Sequence, residues 1–273
     1  MDKQWTDKIA QKLQDAAVGM QPEESKVQAF FDRREAQEER PTRRLLWVKY
    51  AAAISLLVVC GWVIVSMNNV QVSTGNGQTA SATLPDGSTI AVGYNTTVSF
   101  NKLTWIFNRE VALTGEAYFD VESGAKFSVV STMGTTTVLG TEFNVHAREA
   151  YYNVACFEGK VKVRLGDQEA TLTPGNGLIQ RSAGEISTYQ PEGDQPEWLT
   201  GEMVFKGESI HEVLNQLEYV YGIEFDRATI DGEEVYTGFF PTNDLEMALE
   251  LVLVPVGLDF EQDGQTYLLK KSR

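Results

Sequence analysis

The hydropathy pattern is dominated by eighteen consecutive residues without a charged side chain, Tyr50 to Met67 (YAAAISLLVVCGWVIVSM). At about 1.5 Å per residue, a helix of this length spans roughly 27 Å, close to the ~30 Å hydrocarbon core of a bilayer. Leu45, Leu46 and Trp47 extend the apolar stretch upstream. We therefore predict a transmembrane helix over residues 45–67. A buried core helix and a cleaved signal peptide are the alternatives for such a segment.

Two shorter helical patterns precede this segment, within residues 1–44. Their apolar residues recur at spacings of three and four, which places them on one face of each helix. Pro41 is expected to end the second helix. Helices this short bury little surface alone, so we expect a binding partner, with packing on each other or on the membrane as the alternative. The apolar faces comprise Trp5, Ile9 and Leu13 in the first helix and Val27, Phe30 and Phe31 in the second.

Basic residues on the two sides of the span predict its orientation. Arg40, Arg43, Arg44 and Lys49 precede it, whereas residues 68–85 contain no lysine or arginine. Short loops rich in lysine and arginine stay in the cytoplasm. We therefore expect a cytoplasmic N-terminus and an exported C-terminal portion.

The pattern after the span changes to short alternating runs of β-branched and aromatic residues. Residues 68–77 are polar and are expected to form a linker. From 78 to 190, glycine- and proline-containing turns recur every eight to twelve residues, which is typical of an all-β sandwich, barrel or stacked-strand unit. In the stretch 160–165, valine and leucine alternate with lysine and arginine, so one face of that strand is expected to be buried.

Residues 191–200 are expected to form a second linker, and the period of the hydrophobic pattern changes again after it. Residues 201–273 read as β-α-β followed by β-α-β-β. Ser209 and Glu212 have the spacing of a capping box for the first helix. Asn243 with Glu246 is expected to begin the second helix, and the last two strands form a hairpin. The predicted fold class is mainly β with α+β: a helical arm, one transmembrane helix, an all-β domain and a small βαβ-type domain.

The formal net charge of −15 is distributed unevenly. Residues 1–49 carry 10 lysines and arginines against 9 acidic residues, whereas residues 68–273 carry 13 against 29. Nucleic acids and anionic lipid headgroups attract basic surfaces. A partner of either kind is therefore not expected for the C-terminal portion.

Few residues suggest chemistry. Cys60 lies in the span and Cys156 in a predicted strand, so they cannot form a disulfide, and Cys156 is interpreted as a core residue. His146 and His211 have no metal-ligand spacing and are interpreted as solvated or hydrogen-bonded. We expect no enzyme activity, no cofactor and no metal site.

Several stretches of the exported portion resemble the FecR family of inner-membrane anti-sigma factors and sigma regulators, which implies that this portion lies in the periplasm. The C-terminal stretches resemble the short βαβ domain shared with the N-termini of secretins and TonB-dependent receptors. The FecR-like stretches are LPDGSTIAVGYNTTVSF (84–100), REVALTGEAYFDVESGAKFSVVS (109–131), TTTVLGTEFNVHA (135–147), FEGKVKV (157–163) and TPGNGLIQ (173–180). The C-terminal ones are FKGESIHEVLNQLEYVYGIEF (205–225), TGFF (237–240) and LEMALELVLVPVGLDF (245–260).

The resemblance implies a signalling relay across the envelope. In such a relay, the periplasmic signalling domain of an outer-membrane TonB-dependent transducer contacts the FecR protein. The FecR protein then changes its hold on a cytoplasmic extracytoplasmic-function (ECF) sigma factor, and envelope proteases can release its arm. The apolar faces of the arm would bind the sigma factor. An envelope scaffold or secretion-linked anchor that docks on a secretin-like partner is the alternative function.

The resemblance also makes Gly140-Thr141 a candidate self-cleavage site, because some FecR relatives are thought to cut themselves at a matching Gly-Thr by an N-to-O acyl shift. The residue types suit this reaction, since the Thr141 hydroxyl could attack the preceding carbonyl and Gly140 has no Cβ to hinder a strained peptide. The alternative is a structural turn or bulge.

Overall fold

The computed structural model describes residues 3–19, 24–38, 40–148, 151–181, 184, 186–228, 230 and 234–271, with the backbone alone at residue 3 and from 34 to 46. The chain divides into two compact units, residues 1–64 and 65–273. The helices that precede the β structure are α1 (Lys3–Val18), α2 (Glu24–Glu38) and α3 (Arg40–Met67).

The boundary between the second and third helices differs from the prediction. Pro41 does not end α2, which stops at Glu38; it is the second residue of α3. Proline is tolerated in the first turn of a helix because the amide proton it lacks would have no intrahelical acceptor there. The helix that contains the span therefore begins at Arg40, five residues before the predicted start.

The span itself is confirmed as one helix. Trp47–Met67, 21 residues of α3, is long and apolar enough to cross a membrane, and none of it is buried against the rest of the protein. A helix satisfies its own backbone hydrogen bonds, which a single segment in hydrocarbon requires. The side chains of Arg40, Arg43 and Arg44, on which the predicted orientation rests, lie outside the described part of the structure.

The first folded region after the span is a two-sheet β-sandwich, one of the architectures that the sequence left open. One sheet has the order β1-β4-β5-β6-β7-β10-β11 and the other β2-β3-β5-β8-β9-β12-β13, so β5 belongs to both. The strands are β1 (Asn69–Ser73), β2 (Ala80–Thr83), β3 (Thr89–Val92), β4 (Thr97–Asn101), β5 (Arg109–Val121), β6 (Phe127–Val130), β7 (Thr135–Val138), β8 (Thr141–Arg148), β9 (Tyr151–Glu158), β10 (Val161–Leu165), β11 (Gln168–Leu172), β12 (Asn176–Arg181) and β13 (Ile186–Tyr189).

The long strand β5 changes sheets at a glycine. Its first part pairs with β4 and β6, and from Gly115 onward it pairs with β8 and β3. Gly115 has φ +111°, and a Cβ there would lie 2.3 Å from Thr96 Oγ1. The Thr96 hydroxyl accepts a hydrogen bond from the Glu116 amide at 2.9 Å. This close approach is available only to glycine and lets one strand serve both sheets.

Side chains from both sheets form one core. Phe119 stacks on Phe143 with ring centroids 5.1 Å apart, and Trp105 packs edge-on against Phe127. Cys156 is fully buried in this core, as predicted from its position in a strand. Cys60 and Cys156 are both free thiols.

The stretch 68–77 is not a simple linker. Its first half forms β1, which pairs with β4 over five residues, from Asn69 opposite Asn101 to Ser73 opposite Thr97. Val70 and Val72 pack against the sandwich core. The two valines give this otherwise polar stretch enough apolar surface to form an edge strand. The sandwich therefore begins immediately after the membrane helix.

The C-terminal region has the predicted order β-α-β, then β-α-β-β. β14 pairs antiparallel with β16, while β15, β18 and β17 form a second sheet. The two helices and both sheets enclose a separate core. The elements are α4 (Glu197–Thr200), β14 (Glu202–Ser209), α5 (Ile210–Tyr221), β15 (Glu224–Asp226), β16 (Val235–Pro241), α6 (Leu245–Leu253), β17 (Leu258–Asp263) and β18 (Thr266–Lys271).

Capping residues delimit the two longer helices of this region. Ser209 Oγ accepts the amide of Glu212 at 3.2 Å, as the sequence predicted, and Gly222 ends α5 in the left-handed conformation. The second helix, α6, is capped by Asp244, which accepts the amide of Met247, rather than by Asn243. The prediction was displaced by one residue because both side chains are good N-caps.

The stretch 191–200 is also more ordered than the predicted linker. Its last four residues form α4, and Trp198 is buried in the core of the C-terminal region. Only residues 191–196 lack regular structure.

Candidate functional site

The predicted sigma-factor-binding residues of the first helix lie on one face of α1 and are exposed. The Trp5 side chain is 68% exposed and Leu13 is 66% exposed, with Ile9 between them. Residues four apart on a helix are neighbours, so these three side chains form one apolar stripe. That this stripe binds a sigma factor stays a prediction.

The second helix presents a smaller apolar patch. Val27, Phe30 and Phe31 are all exposed, and the two phenylalanine rings contact each other edge to face with centroids 6.0 Å apart. Met20, expected on the apolar face of the first helix, and Pro22, expected at the start of the second, lie outside the described residues.

The Gly140-Thr141 bond lies at the start of β8 in a crowded, buried environment. Thr141 Oγ1 donates to the carbonyl of Lys160 at 3.2 Å and accepts the Lys160 amide at 3.4 Å. A Cβ on Gly159 would lie 2.7 Å from both the Gly140 oxygen and Thr141 Oγ1. The hydroxyl is thus held beside the peptide bond by the turn between β9 and β10, and glycine is needed at 159 as well as at 140, where a Cβ would lie 2.5 Å from Ser123 Oγ.

A two-stranded sheet presents an exposed edge in the C-terminal region. β16 pairs with β14 on one side, and no other strand of the described chain pairs with it. Val235 and Phe239 on β16 are exposed, as is Val204 on β14, opposite Phe239. The edge near 235–240 therefore combines free backbone positions with apolar side chains, which is the chemistry of strand addition.

A buried polar chain that sequence reasoning missed connects the sandwich to the C-terminal region. Trp198 Nε1 donates to Asn144 Oδ1 at 3.2 Å, and Asn144 Nδ2 donates to Glu116 Oε1 at 2.8 Å. His146 lies 3.9 Å from the same carboxylate and is 7% exposed, so it is a buried, hydrogen-bonded histidine. No local sequence signal marks these residues, because their partners lie up to 54 positions away along the chain.

Arg148 completes this junction. Its guanidinium donates to the carbonyls of Tyr94 at 2.7 Å and Asn95 at 2.9 Å, and to His146 Nε2 at 3.1 Å. Its carbon Cζ lies 4.1 Å from the ring centre of Tyr219 on α5. A cation over an aromatic face in a partly desolvated site is stabilising, so Arg148 links strand β8 to helix α5 of the C-terminal region.

Burial changes the proton affinities at the junction. Desolvation raises the pKa of Glu116 to about 7, against the opposing effect of its hydrogen bond from Asn144. Desolvation also raises the pKa of Glu212, whose carboxylate accepts from Gln216 and Asn215. It lowers the pKa of His146 well below its usual value, assisted by the charge of Arg148. His146 is therefore neutral at pH 7, and its Nε2 accepts a hydrogen bond from Arg148 Nε.

A cavity of about 400 Å³ lies beside the junction. Arg181 of β12 and Glu208 of β14 form an ion pair at its rim, a second link between the sandwich and the C-terminal region. Among the described residues, no group of histidine, cysteine and carboxylate side chains is arranged to hold a metal ion. The candidate sites are therefore the exposed apolar surfaces of α1, α2 and β16, together with the charged junction.

Comparison with known proteins agrees with these features. The FecR protein family model matches residues 70–162, and the FecR C-terminal model matches residues 202–269. The matched segments coincide with the sandwich up to β10 and with the C-terminal region. The chain belongs to the FecR family, a family of anti-sigma regulators and not of enzymes.

Solved structures with the same fold come from Parabacteroides distasonis ATCC 8503. A crystal structure at 1.65 Å of a "putative anti-sigma factor" is 26% identical, covers 75% of this chain and 100% of its own, and superposes with a TM-score of 0.69. A structure at 2.50 Å with the same description has the same identity and coverage and a TM-score of 0.70. No curated protein matches the chain. Together with the family, these neighbours support a role in anti-sigma signal transduction by a single-pass membrane protein.

Proposed function

We propose that this protein is a single-pass anti-sigma factor of the inner membrane, with a cytoplasmic arm and periplasmic C-terminal domains. It relays contact with an outer-membrane TonB-dependent transducer to an ECF sigma factor. The observation that carries the proposal is the joint presence of both FecR family regions after a membrane helix and of exposed apolar faces before it.

The arm supplies the output. Trp5, Ile9 and Leu13 form an exposed stripe on α1, and Val27 and its phenylalanine neighbours add a second patch on α2. Large exposed apolar patches on short helices mark binding sites for other proteins. To test this, the full-length protein is captured from cells and its partners are identified. Recovery of an ECF sigma factor is expected, whereas recovery of a secretin-like ring without any sigma factor would favour the scaffold alternative.

The C-terminal region supplies the input. The free edge of β16, with Val235 and Phe239 beside it, suits an added strand from the transducer's signalling domain. Phe239→Lys should weaken binding of that domain by at least about tenfold, since apolar anchors at interface centres contribute more than 1 kcal/mol each. Val254→Lys, at an exposed position at the C-terminal end of α6, is the control and should bind normally.

Orientation is tested separately. The basic residues Arg40, Arg43, Arg44 and Lys49 support a cytoplasmic N-terminus. Reporter fusions at both ends of the full chain, one active only in the cytoplasm and one only in the periplasm, report the topology. A cytoplasmic signal from the C-terminal fusion would reverse the proposed direction of signalling.

Self-cleavage at Gly140-Thr141 is proposed as a processing step of this same protein. Its support is the Thr141 hydroxyl, held next to the peptide bond by the Lys160 backbone. The purified full-length protein should separate into two fragments on a denaturing gel. Thr141→Ala should abolish the fragments and Thr141→Ser should retain them, because serine keeps the nucleophile. A single intact band in all three proteins would refute cleavage.

Release of the arm by envelope proteases is the last proposed step. In the span, Gly61 lacks a side chain and Ser55 Oγ donates to the Ala52 carbonyl at 2.9 Å, which competes with the helical hydrogen bonds. If the arm stays full length and membrane-bound while the target genes are active, this step does not occur.

A further inference from the structure

The turn between β4 and β5, residues 102–108, presents apolar side chains to solvent. Ile106 is 86% exposed and Phe107 is 89% exposed, and Leu103 is also exposed. Single exposed apolar residues are common on protein surfaces, but an adjacent isoleucine and phenylalanine this fully exposed mark a binding surface.

The turn is held in a fixed conformation. Asn101 Oδ1 accepts the amides of Leu103 and Thr104 at 3.0 and 3.1 Å, and the Thr104 carbonyl accepts the amides of Phe107 and Asn108, both at 2.9 Å.

The middle of the turn is also anchored. Trp105 points inward and packs edge-on against Phe100 and Phe127. The exposure of Ile106 and Phe107 therefore belongs to the folded structure, because turning either residue inward would displace Trp105 from the core.

The turn lies where the chain leaves the membrane helix. Asn101 Nδ2 donates to the carbonyl of Val65 at 2.7 Å, and the Lys102 amide donates to the carbonyl of Asn68 at 3.0 Å. Val65 belongs to the last turn of α3, and the apolar segment of that helix ends at Met67. Covalent connection places Val65–Asn68 at the bilayer surface, so a turn bonded to these residues lies at the same level.

We propose that the turn 102–108 inserts Ile106 and Phe107 into the interfacial layer of the membrane that α3 crosses. The acidic portion 68–273 would not be drawn to anionic lipid by charge, so the attraction here is the burial of apolar side chains at the headgroup boundary. Lys102, exposed beside them, is placed to meet a lipid phosphate. The sandwich is thereby held against the bilayer at a second point besides the helix.

This inference depends on the membrane span but not on the sigma factor or the transducer. It limits how far the sandwich can move relative to the membrane. A change in the C-terminal region would then be passed to α3 through a sandwich that is fixed at the surface.

The test uses the full-length protein, one molecule per lipid nanodisc, so that neither a second copy nor another protein can cover the turn. A spin label is placed at Phe107→Cys or Ile106→Cys in a Cys60→Ser background; the remaining Cys156 is buried and does not react. Val254→Cys, exposed in the C-terminal region, is the matched control. Circular dichroism confirms that each variant is folded.

Collision of the label with oxygen, which concentrates in lipid, is compared with collision with a water-soluble nickel chelate. The oxygen-to-nickel ratio at positions 106 and 107 should exceed the ratio at position 254 several-fold. If nickel reaches 106 and 107 as readily as 254, the turn is in water and the proposal fails. If neither reagent gains access, the turn is covered by another part of the same chain, which also overturns the proposal.

Discussion

The Arg148 guanidinium lies over the Tyr219 ring, with Cζ 4.1 Å from the ring centre. This contact joins strand β8 of the sandwich to helix α5 of the C-terminal region. The same side chain donates to the carbonyls of Tyr94 and Asn95 in the sandwich. Arg148 therefore couples the region proposed to receive the transducer to the domain attached to the membrane helix.

Removing this side chain should loosen the junction. Arg148→Ala deletes charge-assisted hydrogen bonds to two backbone carbonyls and to the buried His146, and we expect it to lower the free energy of unfolding by about 2–3 kcal/mol. Thermal unfolding of the full chain in detergent measures the loss. Arg164→Ala, which removes an exposed ion pair with Glu169, should cost less than about 1 kcal/mol. Equal effects of the two substitutions would contradict a special role for Arg148.

Stability at the junction should depend on pH through Glu116. Burial raises its pKa from 4.5 to about 7, so the folded protein binds this proton more tightly than the unfolded chain. The contribution of protonated Glu116 to the free energy of unfolding is fully present below pH 4.5. It is lost as the pH rises toward 7, by up to about 3 kcal/mol at 1.36 kcal/mol per unit of pKa.

Glu116→Gln should remove this dependence, because glutamine keeps an acceptor for Asn144 and carries no charge. The difference in unfolding free energy between the variant and the native protein should then grow in favour of the variant from pH 4.5 to 7. A difference that stays constant over this range would show that Glu116 ionises normally.

Close packing at the Gly140-Thr141 bond predicts an asymmetry between two glycines. Gly159 and Gly166 both have positive φ, at +81° and +58°. Gly166→Ala has open space for its Cβ and should cost only the backbone strain of about 1–2 kcal/mol. Gly159→Ala would in addition place its Cβ 2.7 Å from Thr141 Oγ1, so it should destabilise more. Denaturation of the two variants side by side measures the difference in their free energies of unfolding. Equal losses of stability would mean that the packing around Thr141 accommodates a methyl group at position 159.

The features predicted from sequence are those determined by local pattern. The span, the apolar faces of α1 and α2 and the order of elements in the C-terminal region follow from hydropathy periods and capping residues such as Ser209. Strand β1 was predicted as a linker because its two valines lie among polar residues. An edge strand needs no more apolar surface than these two side chains provide. The exposure of Phe107 was also beyond prediction, since an apolar run does not reveal that Trp105 alone faces the core.

The junction could not be predicted for a different reason. Glu116 and Asn144 lie on strands in which polar and apolar residues alternate, and this pattern predicts that the polar face is exposed to solvent. In the structure the C-terminal region packs on that face and covers both residues. Contacts between positions as distant as Asn144 and Trp198 depend on the assembled fold.

In the proposed function, the arm holds a sigma factor through the apolar stripe of α1. The most direct measurement is the affinity of the full-length protein in nanodiscs for the ECF sigma factor captured with it. Trp5→Ala combined with Leu13→Ala should weaken binding by about tenfold to a hundredfold, as loss of apolar anchors does at other interfaces. Gln11→Ala, on the opposite face of α1, should leave the affinity unchanged. Equal affinity of the native protein and the double variant would contradict the claim.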